Sequence, residues 1–575
     1  MAKCIMIQGT SSNAGKSVLV AALCRIYSKR GYKVAPFKSQ NMSLNSYTTK
    51  ENGEIAIAQV LQAQAAGIEP TVDMNPVLLK PKGNFTSQAI IQGKAIGDMN
   101  FYDYQHKFRK TALNAIKESL EKLKKEYEII IIEGAGSPAE INMRKEDMAN
   151  MEIAHLSDAN VILVADINNG GVFASIAGTY LLLDDYDRSR LKGVIINKFS
   201  GNLDILKPGI DKIEKIIDNP VLGVLPYDRT LHLPEEDSAS LNEHKFDSNK
   251  DIIIGVLRLP KIANFTDIDP FEFEEDVGLK LIELTEDLNN LKKEMEDIDA
   301  LIIPGTRSST GDMVEIKKTG VDKIIKELST DIPIVGICGG YQILGKTIID
   351  EDNKESQYGT VEGLNLLDIE TKFKKQDKIL NQSKGIIVDN SFFNDIYNEE
   401  ISGYEIHEAI STIIHDETDK NFNTNSNNSN YNNSNSNNSN SNNSNSNNSN
   451  SNNSNNSNNS NSNNSNNNSN NNPNKFNNNF NITKPLIKHL IANNTYDIYD
   501  GAIKGNVFGS YFHGIFQNYN FRNSFLNKIR RKKGLKEKHG KDPYESKKDY
   551  SINKLSEIVE ENIDMNFIDD LIFNK

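Results

Sequence analysis

The chain has no tryptophan and only three cysteines, Cys4, Cys24 and Cys338. Three cysteines exclude a disulfide framework, and the lack of any CxxC or Cys/His spacing excludes a zinc site of the finger type. No apolar run approaches the ~18–20 residues that span a bilayer, and the first residues lead into a strand-like segment without the pattern of a secretory signal. Positive charge is in deficit, 65 Lys and Arg against 78 Asp and Glu, a formal net charge of -13. That argues against an extended nucleic-acid surface, which needs clustered cations. One basic cluster, in residues 522–541, reads as a solvated helix face. The expectation is a soluble, cytoplasmic protein with neither nucleic acid nor membrane as partner. A homo-oligomer is compatible with the sequence.

What is present is a repeated alternation of strand and helix. Residues 1–235 run through "KCIMIQG", "YKVAPFK", "YEIIIIEGAG", "ANVILVAD", "LKGVIINKF" and "PVLGVLPY", separated by helix-length segments. Short continuous Val/Ile/Leu runs between helices predict a parallel sheet covered on both faces. Chemistry in such a sheet belongs at the C-terminal strand ends. A polar stretch, residues 236–250, reads as a linker. A second α/β unit is expected over 251–540, with "IIIGVLRLP", "IDALIIPGTRSST", "IPIVGICGGYQILG" and "NVFGSYFHGIF" as its strands and loops, and a helical segment closes the chain at 541–575. Residues 423–481 are almost wholly Asn and Ser, too polar to offset their ordering entropy, so they read as a disordered insertion in the second unit. Its removal is expected to leave activity nearly intact.

Two motifs carry chemistry. "IMIQGTSSNAGKSVLVAALCR" is a strand, a small-residue turn and a helix opening at Lys16–Ser17. Backbone N–H groups of such a turn cradle phosphates. Lys16 would reach the terminal phosphates, and Ser17 would ligate Mg²⁺. Gly9 and Gly15 are one residue further apart than in the common phosphate loop, with Thr10 at the usual first-glycine position. Glu133 and Asp166 end strands where hard-cation ligands would stand. Glu133 is the favoured one, with Asp166 balanced against a solvated strand-end carboxylate. Lys38, at the end of "KVAPFK", is placed near the phosphates or a substrate carboxylate, or is a salt-bridged surface lysine.

The second motif is Gly336-Ile337-Cys338-Gly339-Gly340, between an apolar strand and a helix. Small neighbours allow the sharp turn that exposes a nucleophile. Gly339 N–H and a backbone N–H near Gly305 and Thr306 are the expected oxyanion donors. His513 in "YFHGIF" is the leading base, ahead of His407 in "GYEIHE".

These residues resemble two known groups. The second unit resembles class I glutamine amidotransferases, whose G-x-C-x-G elbow and C-terminal histidine release ammonia from glutamine. By that resemblance Gln342 helps hold the substrate glutamine. Those enzymes carry a glutamate two residues after the histidine. Ile515 stands there, with Gln517 beyond it, so a Cys338–His513 dyad is the expectation.

Outside the Asn/Ser tract the whole chain resembles the cobyric acid synthases, on "GTSSNAGKS", "APFKSQNMSLNS", "DMNPVLLKP", "IEGAGSPAEIN", "VADINNGGVFAS", "PGTRSS", "GICGGYQILG", "GYEIHE" and "YFHGIF". The ATP-binding half of that family resembles dethiobiotin synthetases. The resemblance implies ATP- and glutamine-dependent amidation of the b, d, e and g carboxylates of adenosylcobyrinic acid a,c-diamide, with Mg²⁺ as cofactor. Two readings stand beside it: a synthase that makes the a,c-diamide of cobyrinic acid or a related tetrapyrrole, and a non-catalytic P-loop ATP switch.

Overall fold

The computed structural model describes residues 2–83, 85–228, 230–231, 233, 249–373, 378–414, 482–491 and 497–574. The Asn/Ser tract and nearly all of the expected linker lie outside these residues.

The first half is built on six strands, β1 (Lys3–Gly9), β2 (Val34–Phe37), β3 (Ile129–Glu133), β4 (Asn160–Asp166), β5 (Leu191–Phe199) and β6 (Val221–Pro226). They lie in the order β6-β5-β4-β1-β3-β2, every pair parallel. Ile129 to Ile132 and Val161 to Ala165 are all buried, because helices cover both faces and each residue of the run meets a core. Helix α1 (Lys16–Lys29) follows β1 directly and α2 (Ile57–Ala66) packs beside it. A smaller sheet (Gln40–Met42, Val77–Gly83, Thr86–Ile91, Lys94–Asn100) projects from this half.

The second half is built on a nine-stranded sheet, β7 (Ile252–Arg258), β8 (Val277–Glu283), β9 (Ala300–Ile303), β10 (Ile334–Ile337), β11 (Ile379–Ile387), β12 (Glu400–His407), β13 (Lys484–His489), β14 (Tyr499–Lys504) and β15 (Val507–Ser510), with a smaller sheet of Thr347–Ile349, Thr360–Glu362, Ile369–Phe373 and Ala409–Ile413 beside it. The order in the larger sheet is β8-β7-β9-β10-β15-β14-β13-β11-β12. The five strands from β8 to β15 are parallel, and the remaining four extend the sheet in antiparallel fashion. The alternation of strand and helix foretold the parallel part; the extension lacks crossover helices and left no such signal.

The chain end returns to the beginning. Helices α4 (Pro543–Asn562) and α5 (Met565–Phe573) bury Ile552, Leu555, Val559 and Ile568 in the same core as Leu19, Val20 and Leu23 of α1. The Tyr27 hydroxyl donates to Asp569 at 2.8 Å. The basic cluster at 522–541 is only partly the solvated face expected of it. Arg522 and Arg530 are fully buried, paired with Glu274 at 3.0 Å and Asp276 at 2.8 Å. Their helical spacing turns them inward, and acids on the preceding segments meet them.

Candidate functional site

Two clusters stand at strand ends. In the first half, the turn after β1 passes through Asn13 at φ 58° and Gly15 at φ 98° before α1 begins. A Cβ on Gly15 would lie 2.0 Å from the Asn197 amide nitrogen, so only glycine fits there. Asn197, at the end of β5, donates to the Ala14 carbonyl at 2.9 Å and shapes the turn from outside. The Thr10 N–H is tied to the Val164 carbonyl at 2.9 Å. Lys16 is buried and folds back over the turn, donating to the Ser11 carbonyl at 2.9 Å and the Gly136 carbonyl at 3.2 Å.

Glu133 is the centre of this cluster. It is 1% exposed, and its Oε1 accepts from the Ser17 hydroxyl at 2.7 Å and the Lys38 ammonium at 2.8 Å. Gln59 and Gln62 of α2 donate to its other oxygen. Lys38 is therefore a buried partner of Glu133, not a surface lysine. A hydroxyl and a carboxylate within reach of one point are the hard oxygen donors that Mg²⁺ takes, with phosphate and water completing its shell. Asp166 is buried but differently engaged. It accepts from Asn168 N–H at 2.7 Å and Asn169 at 3.3 Å, and pairs with Lys198 at 3.0 Å.

In the second half, β10 turns sharply at Cys338, whose φ 52° and ψ −106° lie outside the regions most side chains adopt. Helix α3 (Gly339–Leu344) starts at the next residue. A Cβ on Gly340 would sit 1.9 Å from the Ile303 carbonyl, which explains the small residue there beside Cys338. Cys338 N–H donates to the Ser510 carbonyl at 2.8 Å, holding the elbow against β15. Gly305, Thr306, Gly339, Gln342 and His513 line one cavity with Cys338. Gln342 donates to the Tyr511 hydroxyl at 3.3 Å.

His513 lines the cavity beside Cys338, whose thiol donates to the Ile406 carbonyl at 3.7 Å, and is 1% exposed. Its Nδ1 lies 2.7 Å from Asp267 Oδ2, and Asp267 Oδ1 accepts the Gly514 N–H at 2.6 Å. Burial alone would depress the imidazole, but the Asp267 carboxylate and Cys338 push it up to about 10. The dyad expectation is therefore corrected: a carboxylate orients the histidine, supplied by a turn 246 residues away instead of by the position two residues on. Nothing local separates Asp267 from Asp269 in "NFTDIDP", so the sequence carried no signal for it. His407 also lines the cavity, but its Nδ1 meets the Ala409 carbonyl at 2.7 Å and its ring stacks on Tyr511 at 3.8 Å.

The two clusters are linked through "SQNMSLNS". Asn264, beside His513, receives this segment: its N–H donates to Asn45 Oδ1 at 2.8 Å and its Oδ1 accepts Ser46 N–H at 2.7 Å. Since Oδ1 is thereby committed, the amide nitrogen faces His513 Nε2, at 3.3 Å. Tyr47 packs on Tyr404 at 4.8 Å, and Thr48 donates to the Glu405 carbonyl at 3.2 Å. The first residues of the same segment follow Lys38 directly.

Comparison with known proteins agrees with this division. Residues 5–241 match the CobQ/CobB/MinD/ParA nucleotide binding domain, and residues 253–450 match the CobB/CobQ-like glutamine amidotransferase domain. The chain is 52% identical to the probable cobyric acid synthase of Methanothermobacter thermautotrophicus, over 99% of each chain. It is 50% identical to that of Methanosphaera stadtmanae, again over 99% of each. It is 41% identical to the cobyric acid synthase of Clostridium botulinum strain Langeland, over 100% of this chain and 99% of the relative. With a nucleotide-binding half, an amidotransferase half and relatives alike from end to end, the chain belongs to the cobyric acid synthase family, glutamine-dependent amide-forming ligases of cobalamin biosynthesis.

Proposed function

We propose that the chain is a cytoplasmic enzyme that amidates the b, d, e and g carboxylates of adenosylcobyrinic acid a,c-diamide, consuming ATP and glutamine at separate sites. The observation that carries this reading is the pair of buried clusters bridged by residues 38–48. One has the groups of phosphoryl transfer; the other has those of thiol-dependent amide hydrolysis.

At the second site, the Cys338 thiolate attacks the side-chain amide carbon of glutamine. Gly339 N–H and a backbone N–H of the Gly305–Thr306 loop stabilise the oxyanion. His513, charged and oriented by Asp267, gives its proton to the departing ammonia as the C–N bond breaks. Water then hydrolyses the thioester and glutamate leaves. At the first site, a corrinoid carboxylate oxygen attacks the γ-phosphorus of ATP, ADP departs, and ammonia displaces phosphate from the acyl phosphate. Thr10, Gly15 and Lys16 hold the phosphates, and Lys38 neutralises charge on the phosphate or the attacking carboxylate. Mg²⁺ would be held by Ser17 and Glu133 and supplies charge neutralisation of the transferring phosphoryl group. Asp166, committed to Lys198 and two asparagines, is left out of this metal shell.

Substrate choice tests the reading. Given cobyrinic acid and its a,c-diamide separately, the enzyme is expected to amidate only the diamide. Amidation of cobyrinic acid alone would move the chain to the sister a,c-diamide reaction.

Asp267→Asn tests the histidine's partner. Glutamine-driven turnover is expected to fall ~10²–10⁴-fold, by analogy with loss of the orienting acid in a serine triad. The pH dependence has a defined sign. A histidine raised from 6.5 to about 10 stays protonated up to about pH 10, and its stabilisation, full below 6.5, is lost as pH rises from there through about 10. The alkaline limb of glutaminase activity is therefore expected near pH 10 in the parent, and markedly lower in Asp267→Asn. An unmoved limb would remove Asp267 from the site.

A further inference from the structure

The cavity around Cys338 contains more charge than amide hydrolysis requires. Arg307, two residues beyond Gly305 on the same loop, lines it, and so do Lys80, Lys378, Glu355 and Glu408. The lysines are committed. Lys80 Nζ lies 2.8 Å from Glu54 Oε1 and Lys378 Nζ lies 2.6 Å from Glu54 Oε2, so one carboxylate serves both. Arg307 is not. Its Nε and Nη2 are buried, yet neither has a hydrogen-bond acceptor among the described residues. Two N–H donors of a buried guanidinium in the cavity wall, with no acceptor in hydrogen-bond range among the described residues, are the fork that a carboxylate fills bidentately.

Glu408 stands beside that fork. Its Oε1 lies 3.9 Å from Arg307 Nη2, too far for a hydrogen bond, and accepts from Gln88 of the first half at 3.1 Å. Burial would raise the Glu408 carboxyl, but Arg307 and Lys378 hold it below the usual range, so it is ionised. Glu355 differs: burial pushes it up to about 7. The cavity wall thus offers a cation and an anion side by side. That spacing suits a zwitterion whose ammonium and carboxylate sit on one carbon.

We propose that Arg307 binds the α-carboxylate of the amide donor and that Glu408 receives its α-ammonium group. The assignment rests on the reading of the Cys338 cavity as the glutaminase site. It makes Arg307 the residue that selects a free α-amino acid over other primary amides. The first half takes part, because Gln88 orients Glu408 and Lys80 closes the cavity wall.

The test compares three nitrogen donors in the amidation assay of the full chain: glutamine, its α-carboxamide (with the side-chain amide retained) and ammonium chloride. The parent is expected to prefer glutamine over the α-carboxamide ~100-fold in kcat/KM, the discrimination of a site built to pair one charged group. In Arg307→Met, kcat/KM for glutamine falls ~100-fold, the α-carboxamide is used about as before, and ammonium-driven turnover is unchanged. Arg307→Lys restores part of the preference. Persistence of the preference in Arg307→Met would overturn the proposal, and so would a parallel loss with all three donors. Failure of the underlying glutaminase reading looks different: the parent itself would use ammonium and not glutamine.

Discussion

Cys338→Ser is expected to abolish glutamine-driven amidation, by more than about 10³-fold, while ammonium-driven amidation continues at the parental rate. The loss is large because the thiolate is the group that forms the bond, and a hydroxyl beside His513 is far less ionised. Retention with ammonium follows from the placement of the two clusters. Ser17 and Lys38 both address Glu133 at the end of β3 in the first sheet, whereas Cys338 ends β10 of the second. Serine fits the elbow's volume, so the strained turn at Cys338 and the Ser510 carbonyl bond persist. Simultaneous loss of the ammonium reaction in a folded variant would contradict the assignment of separate sites.

The second large effect is expected at Glu133. Glu133→Gln keeps the shape of the side chain but removes the charge that Lys38, Ser17, Gln59 and Gln62 all address. Amidation is expected to fall ~10³-fold with glutamine and with ammonium alike, about 4 kcal/mol of transition-state stabilisation. The pattern is the complement of Cys338→Ser, since nitrogen supply remains and acyl activation is gone. Some stability is lost too, because a buried ammonium without its carboxylate is costly. Thermal unfolding of Glu133→Gln, and of Lys38→Met with Glu133→Gln, separates that loss from catalysis: the double variant is expected to recover stability without recovering activity. Full ammonium-driven activity in Glu133→Gln would remove Glu133 from the phosphoryl-transfer site.

The contrast between these sites and the rest shows which physics is local. The elbow was legible because the constraint that makes it, a tight turn with no room for side chains at Gly339 and Gly340, is met by adjacent residues. The phosphate loop was legible for the same reason, as strand, positive-φ glycine and helix are consecutive. The acid partner of His513 was not, because Asp267 reaches it only through the packing of the turn Phe265–Ile268 against the end of β15. Lys38 and Glu133 were each readable as strand-end residues, but their pairing depends on β2 and β3 being neighbours in the sheet. Composition misled at Arg522 and Arg530, where a basic run contains two side chains that a helix turns into the core. The return of α4 and α5 to the first core, and the docking of Asn45 and Ser46 on Asn264, are long-range events of the same kind.

Nitrogen freed at Cys338 is expected to become the amide of an acyl group activated at Glu133. The measurement that reaches it most directly is mass analysis of the corrinoid product formed from the a,c-diamide, ATP, Mg²⁺ and glutamine labelled with ¹⁵N in its side-chain amide. The expected result is four successive acid-to-amide conversions, each new amide carrying the label, and none in Cys338→Ser. An unchanged corrinoid in the presence of all four components, or amides formed equally well by Cys338→Ser from glutamine, would contradict it.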